Sequence, residues 1–151
     1  MNSNAICPIS TKKIDENVAR LNGALTVILL VIFVATQNII PVIFLLIDFF
    51  LRSAELSLYS PLANFSKFIL NSLGIKKNTI NAGPKIFAAR IGVIFSLMII
   101  ISNLTGYETA CYIFSAIFGF CAFLESAFGY CVACQIYPIV FRLTYRAKNA
   151  L

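Results

Sequence analysis

Four long apolar runs dominate the sequence, and they decide which class of protein the chain can belong to. The runs cover residues 21–36, 39–51, 86–104 and 109–140. The chain is 60% hydrophobic and 12% charged, whereas soluble domains are about 45–50% apolar and about 25% charged. A helix of about 20 mainly apolar residues can cross the hydrocarbon core of a bilayer. The runs therefore predict a single integral membrane domain whose first partner is the lipid bilayer.

The predicted fold is all-α, a four-helix transmembrane bundle. Gln37 and Asn38 separate the first two runs, and Pro41 falls in the first turn of the second, where proline is tolerated. A hairpin of two spans is therefore expected, rather than one kinked helix. When the runs are extended into their polar flanks, the predicted spans are about 18–37, 39–58, 84–104 and 108–137.

A shorter helix is predicted between spans two and three. Ser60 suits an N-cap, Pro61 suits the first helical position, and Gly74 suits the end of the helix. Over about 61–73, apolar side chains recur on one face and polar ones on another. This pattern predicts an amphipathic helix lying in the plane of the membrane interface.

The basic residues indicate how the chain crosses the membrane. The net charge is +6, and the two short turns at 37–38 and 103–108 contain no Lys or Arg. With four spans, the remaining segments fall on one side, so the positive-inside rule predicts an inner (cytoplasmic) membrane protein with both termini cytoplasmic. Because the basic residues flank apolar runs and form no polar face, nucleic acid is not an expected partner.

A layer of charged residues is predicted at the cytoplasmic ends of the spans. Asp48 and Arg52 lie one helical turn apart in span two, Arg90 lies in span three and Glu125 in span four. Ionisable groups at membrane depth usually face the bundle interior and pair. Arg90 is expected to pair with Glu125 or with Asp48. Two interpretations remain open: a network that only locks the helices together, and one that also binds or relays something.

Three cysteines are predicted on the same side. Cys131 and Cys134 form a Cys-x-x-Cys pair at the end of the fourth run, and Cys7 lies in the polar N-terminal segment. Such a pair can act as an attacking and a resolving thiol, can pack as two small side chains, or can contribute to a metal site. A metal site would need Cys7 or an outside ligand, because the chain contains no His. We therefore expect neither a resident metal nor another cofactor.

Several stretches together resemble a known family. They are Cys7-Pro8, YSPLA at 59–63, PKIFAARIG at 84–92 and LESAFGYCVACQIYP at 124–138. These stretches resemble a bacterial family of small four-pass membrane proteins filed as a domain of unknown function, which is distantly similar to DoxX-type proteins. Because its members are sometimes joined to thioredoxin-like or rhodanese-like proteins, or encoded beside them, the resemblance implies a sulfur-handling partner.

The leading hypothesis is a membrane relay for thiol–disulfide exchange or for persulfide sulfur. Cys131 and Cys134 would carry the chemistry with Cys7 as a third thiol, and Arg90 and Glu125 would orient and tune the site. The expected partner is a thioredoxin-like or rhodanese-like protein, or a quinone in the bilayer. The alternatives are a small carrier for a sulfur-containing anion, with dimerisation supplying a path, and a structural subunit of a larger membrane complex.

Overall fold

The computed structural model of the chain describes residues 13–56, 58–130 and 132–150. Two three-residue strands and six helices occur in these ranges. They are β1 (Lys13–Asp15), α1 (Glu16–Thr36), α2 (Ile40–Ser53), α3 (Pro61–Ser72), β2 (Thr79–Asn81), α4 (Ala82–Leu104), α5 (Glu108–Phe128) and α6 (Val132–Ala150). The prediction of an all-helical fold is confirmed at this level.

Three of these helices, α1, α4 and α5, are long and apolar enough to cross a membrane. The chain therefore has the character of a membrane protein. Helix α2 is also strongly apolar, but it has 14 residues and measures about 21 Å at about 1.5 Å per residue. It is shorter than the hydrocarbon core of about 30 Å.

Local sequence signals explain where several helices begin. Asp15 is the N-cap of α1, and its carboxylate accepts a hydrogen bond from the Asn17 amide at 3.0 Å. Ser60 is the N-cap of α3, and its hydroxyl accepts a hydrogen bond from the Ala63 amide at 3.2 Å. Pro61 follows Ser60 as the first residue of α3, as the sequence predicts.

Small residues allow the helices to approach closely. A Cβ atom added to Gly23 of α1 would lie 2.9 Å from the Ala122 carbonyl oxygen of α5. A Cβ atom added to Gly92 of α4 would lie 2.7 Å from the Phe49 ring of α2. The absence of side chains at Gly23 and Gly92 therefore lets α1 approach α5 and lets α2 approach α4. Small residues at helix interfaces are common in membrane proteins.

The starts of α1 and α4 and the end of α5 lie at the same end of the bundle, which we call the basic end. Strands β1 and β2 pair antiparallel, with Ile14 opposite Ile80, and this pairing joins the segments that precede α1 and α4. The Arg20 guanidinium of α1 donates hydrogen bonds to the carbonyl oxygens of Ser126 at 3.3 Å and Ala127 at 3.1 Å. These bonds cap the last turn of α5.

The fourth predicted span, 108–137, is two helices in the structure. Helix α5 ends at Phe128, and Gly129 follows with a φ of 66°, a left-handed conformation that glycine adopts readily. The Gly129 amide donates a hydrogen bond to the Leu124 carbonyl, which closes α5. Apolar composition continues past this glycine, so a run of hydrophobic residues could not reveal the break.

Helix α3 contacts the bundle along one face and leaves large apolar side chains exposed. It buries Leu62, Ala63 and Ser66, whereas Phe65 and Leu73 are exposed. The Ser66 hydroxyl donates a hydrogen bond to the Asn22 side-chain oxygen of α1 at 2.5 Å, and both residues are buried. A polar contact therefore fixes α3 on α1, and phenylalanine side chains face outward.

Candidate functional site

A cavity of about 220 Å³ opens at the basic end of the bundle. Helices α1, α2, α4, α5 and the start of α6 all contribute to it. Its wall is mainly apolar and includes the rings of Phe49, Phe95 and Phe118. The Phe95 and Phe118 rings are stacked, with centroids 5.7 Å apart and planes 9° from parallel. An apolar cavity of about 150 Å³ already holds a benzene molecule, so a substituted six-membered ring fits this space.

Lys85 and Glu125 form an ion pair in the wall of the cavity. The Lys85 Nζ lies 2.5 Å from the Glu125 Oε1. Lys85 is buried in the first turns of α4, and Glu125 in the last turn of α5 is mostly buried. A close, charge-assisted contact of this kind is stronger than a neutral hydrogen bond. It places one ammonium and one carboxylate beside an otherwise apolar space.

This pair corrects the prediction that Arg90 is the partner of Glu125 or of Asp48. Arg90 is exposed on α4, and within the described residues no ion pair reaches it. The reason is helical phase: Lys85 and Ala89 fall on the buried face of α4, and Arg90 lies the next 100° around the helix. Lys85 follows Pro84 at the edge of the predicted span, just before the apolar run at 86–104, so hydropathy did not single it out as an inward-facing residue.

Asp48 and Arg52 lie at the same end of the bundle, as predicted, on the neighbouring α2. The Asp48 side chain is completely buried, and its Oδ1 accepts hydrogen bonds from the Ser60 hydroxyl at 2.5 Å and the Leu62 amide at 3.0 Å. Its Oδ2 lies 3.9 Å from the Arg52 guanidinium and accepts no hydrogen bond from the described residues. Asp48 therefore ties the start of α3 to α2, a structural role.

Arg52 reaches the cavity from α2. Its guanidinium carbon lies 5.3 Å from the centroid of the Phe49 ring, within cation–π range. Phe49 and Arg52 both line the cavity. Because Arg52 faces Asp48 and Lys85 faces Glu125, each cation at the cavity has a carboxylate beside it.

The predicted thiols fall largely outside the described residues. Cys7 and Cys131 lie outside them, and of Cys134 the structure describes the backbone, which is the third residue of α6. Val132 and Ala133, the two residues between the paired cysteines, line the cavity. The two residues between the paired cysteines thus border the same space as the Lys85–Glu125 pair, and they lie in the first turn of α6.

The other two cysteines have different surroundings. Cys111 is buried in α5, and its thiol donates a long hydrogen bond to the Ile99 carbonyl at 3.8 Å. Cys121 lines the cavity. In the part of the chain that the structure describes, no group of three Cys, Asp or Glu side chains could hold a metal ion.

The comparisons with known proteins identify a family and leave its chemistry open. No curated protein and no solved structure matches the chain. A family model matches residues 14–142, which include every element from α1 to the first half of α6. The chain belongs to the family described as "Domain of unknown function (DUF4395)".

Proposed function

We propose that this membrane protein is a thiol relay, in which Cys131 and Cys134 exchange electrons or sulfur at the cavity of the basic end. The observation that carries the proposal is that Val132 and Ala133, the residues between the two cysteines, line the cavity beside Lys85 and Glu125. A second feature supports it. Helix α6 begins at Val132, so the backbone of Cys134 lies in its first turn, at the positive end of the helix dipole, where anionic groups are favoured.

In the disulfide form of the relay, a cytoplasmic thioredoxin-like dithiol reduces the Cys131–Cys134 disulfide. One partner thiolate attacks a sulfur of the disulfide, which forms a mixed disulfide and releases one cysteine of the motif as a thiolate. The second partner thiol then attacks the partner's own sulfur in the mixed disulfide and displaces the other cysteine. The partner leaves as a disulfide, and Cys131 and Cys134 retain two electrons and two protons as thiols. A quinone in the cavity then accepts both electrons and both protons, which gives a quinol and restores the disulfide.

In the persulfide form of the relay, a rhodanese-like partner supplies sulfur. A cysteine thiolate of the motif takes the terminal sulfur of the partner's persulfide, and the partner leaves as a thiol. No net oxidation occurs in this step. Lys85 would donate a hydrogen bond to the quinone oxygen or to the persulfide, and Glu125 would hold the ammonium in place.

The four-pass arrangement is also part of the proposal. Helix α2 follows a turn at the far end of α1, yet Asp48 near its end contacts Ser60 and Leu62, which begin α3 at the basic end. The 14 residues of α2 therefore return the chain along the bundle, and they act as a short fourth pass between α1 and α4. The positive-inside rule then favours a cytoplasmic basic end, with both termini cytoplasmic in the inner membrane.

The charges at the cavity argue against the alternative of a sulfur-anion carrier. An anion site should keep an uncompensated cation, whereas Lys85 lies against Glu125 and Arg52 lies near Asp48. A neutral, largely apolar ligand matches this wall better. The structural-subunit alternative makes a different prediction, because its cysteines would take part in no exchange.

The test is quinone reduction by the purified protein in liposomes, with dithiothreitol as the electron donor and a short-tailed benzoquinone as the acceptor. We expect quinol to form faster than in protein-free liposomes, and we expect the Cys131→Ser/Cys134→Ser variant to lose this increase. Cys111→Ser is the matched control, because Cys111 is buried away from the cavity. An unchanged rate in the double variant refutes the disulfide form of the relay, and uptake of thiosulfate by the same liposomes would favour the carrier.

A further inference from the structure

Helix α6 carries an apolar stripe that the bundle leaves open. Val132, Ile136, Ile139 and Leu143 recur at intervals of four, three and four residues, so they lie on one face of the helix. Val132 and Ile136 line the cavity, whereas Ile139 is 59% exposed and Leu143 is 64% exposed. The stripe thus continues from the cavity onto the surface of the protein.

A different face of α6 attaches the helix to the bundle. The rings of Tyr137, Phe141 and Tyr145 stack along α6 with centroids 6.2 and 6.3 Å apart. The Tyr137 ring meets the Phe87 ring of α4 edge-on, with centroids 5.4 Å apart. At about 100° per residue, Tyr137 lies about 160° from Ile139 around the helix. This attachment therefore holds the outer part of the stripe away from α4.

All charged residues of α6 are basic. They are Arg142, Arg146 and Lys148, and each is exposed. Arg142 and Arg146 lie one turn apart and follow one flank of the apolar stripe. Helices of this kind, with an apolar face beside basic side chains, bind in the interface of a bilayer.

We propose that α6 lies on the surface of the bilayer at the basic end, with its apolar stripe at the acyl-chain boundary and with Arg142 and Arg146 binding the phosphates of anionic lipids. Its position in the chain supports this. Helix α5, which is long and apolar enough to span a membrane, ends at Phe128, and α6 begins at Val132. The stripe therefore starts where a spanning helix leaves the hydrocarbon core.

A lipid surface suits the stripe better than a second copy of the chain. In a two-fold dimer through this face, the same patch would meet itself. Arg142 and Arg146 of one copy would then approach those of the other, and α6 contains no acidic residue to compensate them. Like charges across an interface are costly. Anionic headgroups instead attract a basic segment near the membrane surface.

The test uses tryptophan emission, because the natural chain contains no Trp. Ile139→Trp places the probe on the stripe, and Lys148→Trp places it about 180° around the same helix, at an exposed position, as the matched control. Each variant of the full chain is put into nanodiscs of phosphatidylglycerol and phosphatidylcholine, with brominated acyl chains on one lipid or on the other. Bromine quenches only a tryptophan that lies close to the acyl chains.

We expect strong quenching of Ile139→Trp and weak quenching of Lys148→Trp. Quenching of Ile139→Trp should be stronger when the bromines are on phosphatidylglycerol. The ratio of quenching by phosphatidylglycerol to quenching by phosphatidylcholine should fall about fivefold for each arginine changed to Gln. Leu143→Trp is a second probe on the same stripe, in case Ile139→Trp fails to fold. Equal quenching by both lipids overturns anionic recognition. Absence of quenching, or emission that changes on cross-linking two copies, overturns the placement on the bilayer.

Discussion

The ion pair between Lys85 and Glu125 makes a quantitative prediction about the stability of the bundle. Lys85→Met removes the ammonium and leaves the Glu125 carboxylate at a site where its side chain is 18% exposed. Removal of one partner of a buried ion pair costs about 3–5 kcal/mol. Because Glu125 keeps some access to solvent, we expect the lower end, a loss of about 3 kcal/mol in the free energy of unfolding.

The double variant Lys85→Met/Glu125→Leu should recover most of this loss. Replacing a buried pair by apolar residues of similar volume is often neutral or stabilising. We therefore expect the loss of unfolding free energy in the double variant to be smaller, by at least about 2 kcal/mol, than the sum of the losses in Lys85→Met and Glu125→Leu. The assay is reversible unfolding in mixed micelles by increasing fractions of a denaturing detergent, followed by far-ultraviolet circular dichroism.

Arg90→Gln is the control for this prediction, because Arg90 is exposed on the same helix. A surface change of this kind should alter the free energy of unfolding by less than about 0.5 kcal/mol. The reasoning fails if Lys85→Met is nearly neutral and Arg90→Gln is as costly as a broken buried pair. That result would make Arg90 the ion-pair partner of Glu125, as the sequence alone suggested.

Three further predictions concern contacts that hold the helices together. Asp48→Ala removes the acceptor of the Leu62 amide and should lower the free energy of unfolding by about 1.5–3 kcal/mol. Hydrogen exchange at the Leu62 amide should also become faster. Asp48→Asn keeps an acceptor and should lose less stability. Gly23→Ala should cost about 1–3 kcal/mol in the same unfolding assay, because its Cβ would press on the α5 backbone. Gly119→Ala, whose Cβ would meet its nearest neighbour at 3.7 Å, should be neutral or stabilising; equal losses at both glycines would contradict the close approach of α1 and α5. Arg20→Gln should cost about 0.5–1.5 kcal/mol and increase hydrogen exchange in the last turn of α5, and unchanged exchange there would contradict its capping role.

Much of the helical framework could be predicted from the sequence. The capping pair Ser60 and Pro61 gave the start of α3, and the break after Gln37 gave the hairpin between α1 and α2. Apolar composition identified the three helices that could cross a membrane. These features depend on local chemistry and on the length of a segment, which a sequence carries directly.

The composition of the site was harder to predict, because it depends on helical phase and on breaks inside apolar sequence. Lys85 lies at the edge of the predicted span beside Pro84, and only the phase of α4, which begins at Ala82, shows that it is turned inward. Gly129 ends α5 within a continuous apolar run, so the start of α6 was hidden. Asn22 and Ser66 lie 44 residues apart in sequence, and the buried hydrogen bond between them joins α1 to α3. Neither residue type by itself predicts this contact.

The helix phase also explains why the contact within α2 could be predicted and the pair between α4 and α5 could not. Asp48 and Arg52 do lie together, because residues four apart share a helical face whatever the tertiary structure. A pair between α4 and α5 depends instead on which side of each helix faces the other. Sequence spacing therefore predicts contacts within one helix, but it could not show that Lys85, and not Arg90, faces Glu125.

The most direct test of the relay is maleimide labelling of the cysteines in sealed cells and in inverted membrane vesicles, with and without reductant, resolved by residue with mass spectrometry. Buried Cys111 provides an internal reference that should stay unlabelled in the folded protein. We predict that Cys131 and Cys134 label rapidly from the cytoplasmic side alone, and that oxidation protects both. Labelling from the outer side would contradict the topology, and inert thiols in both preparations after reduction would contradict the relay itself.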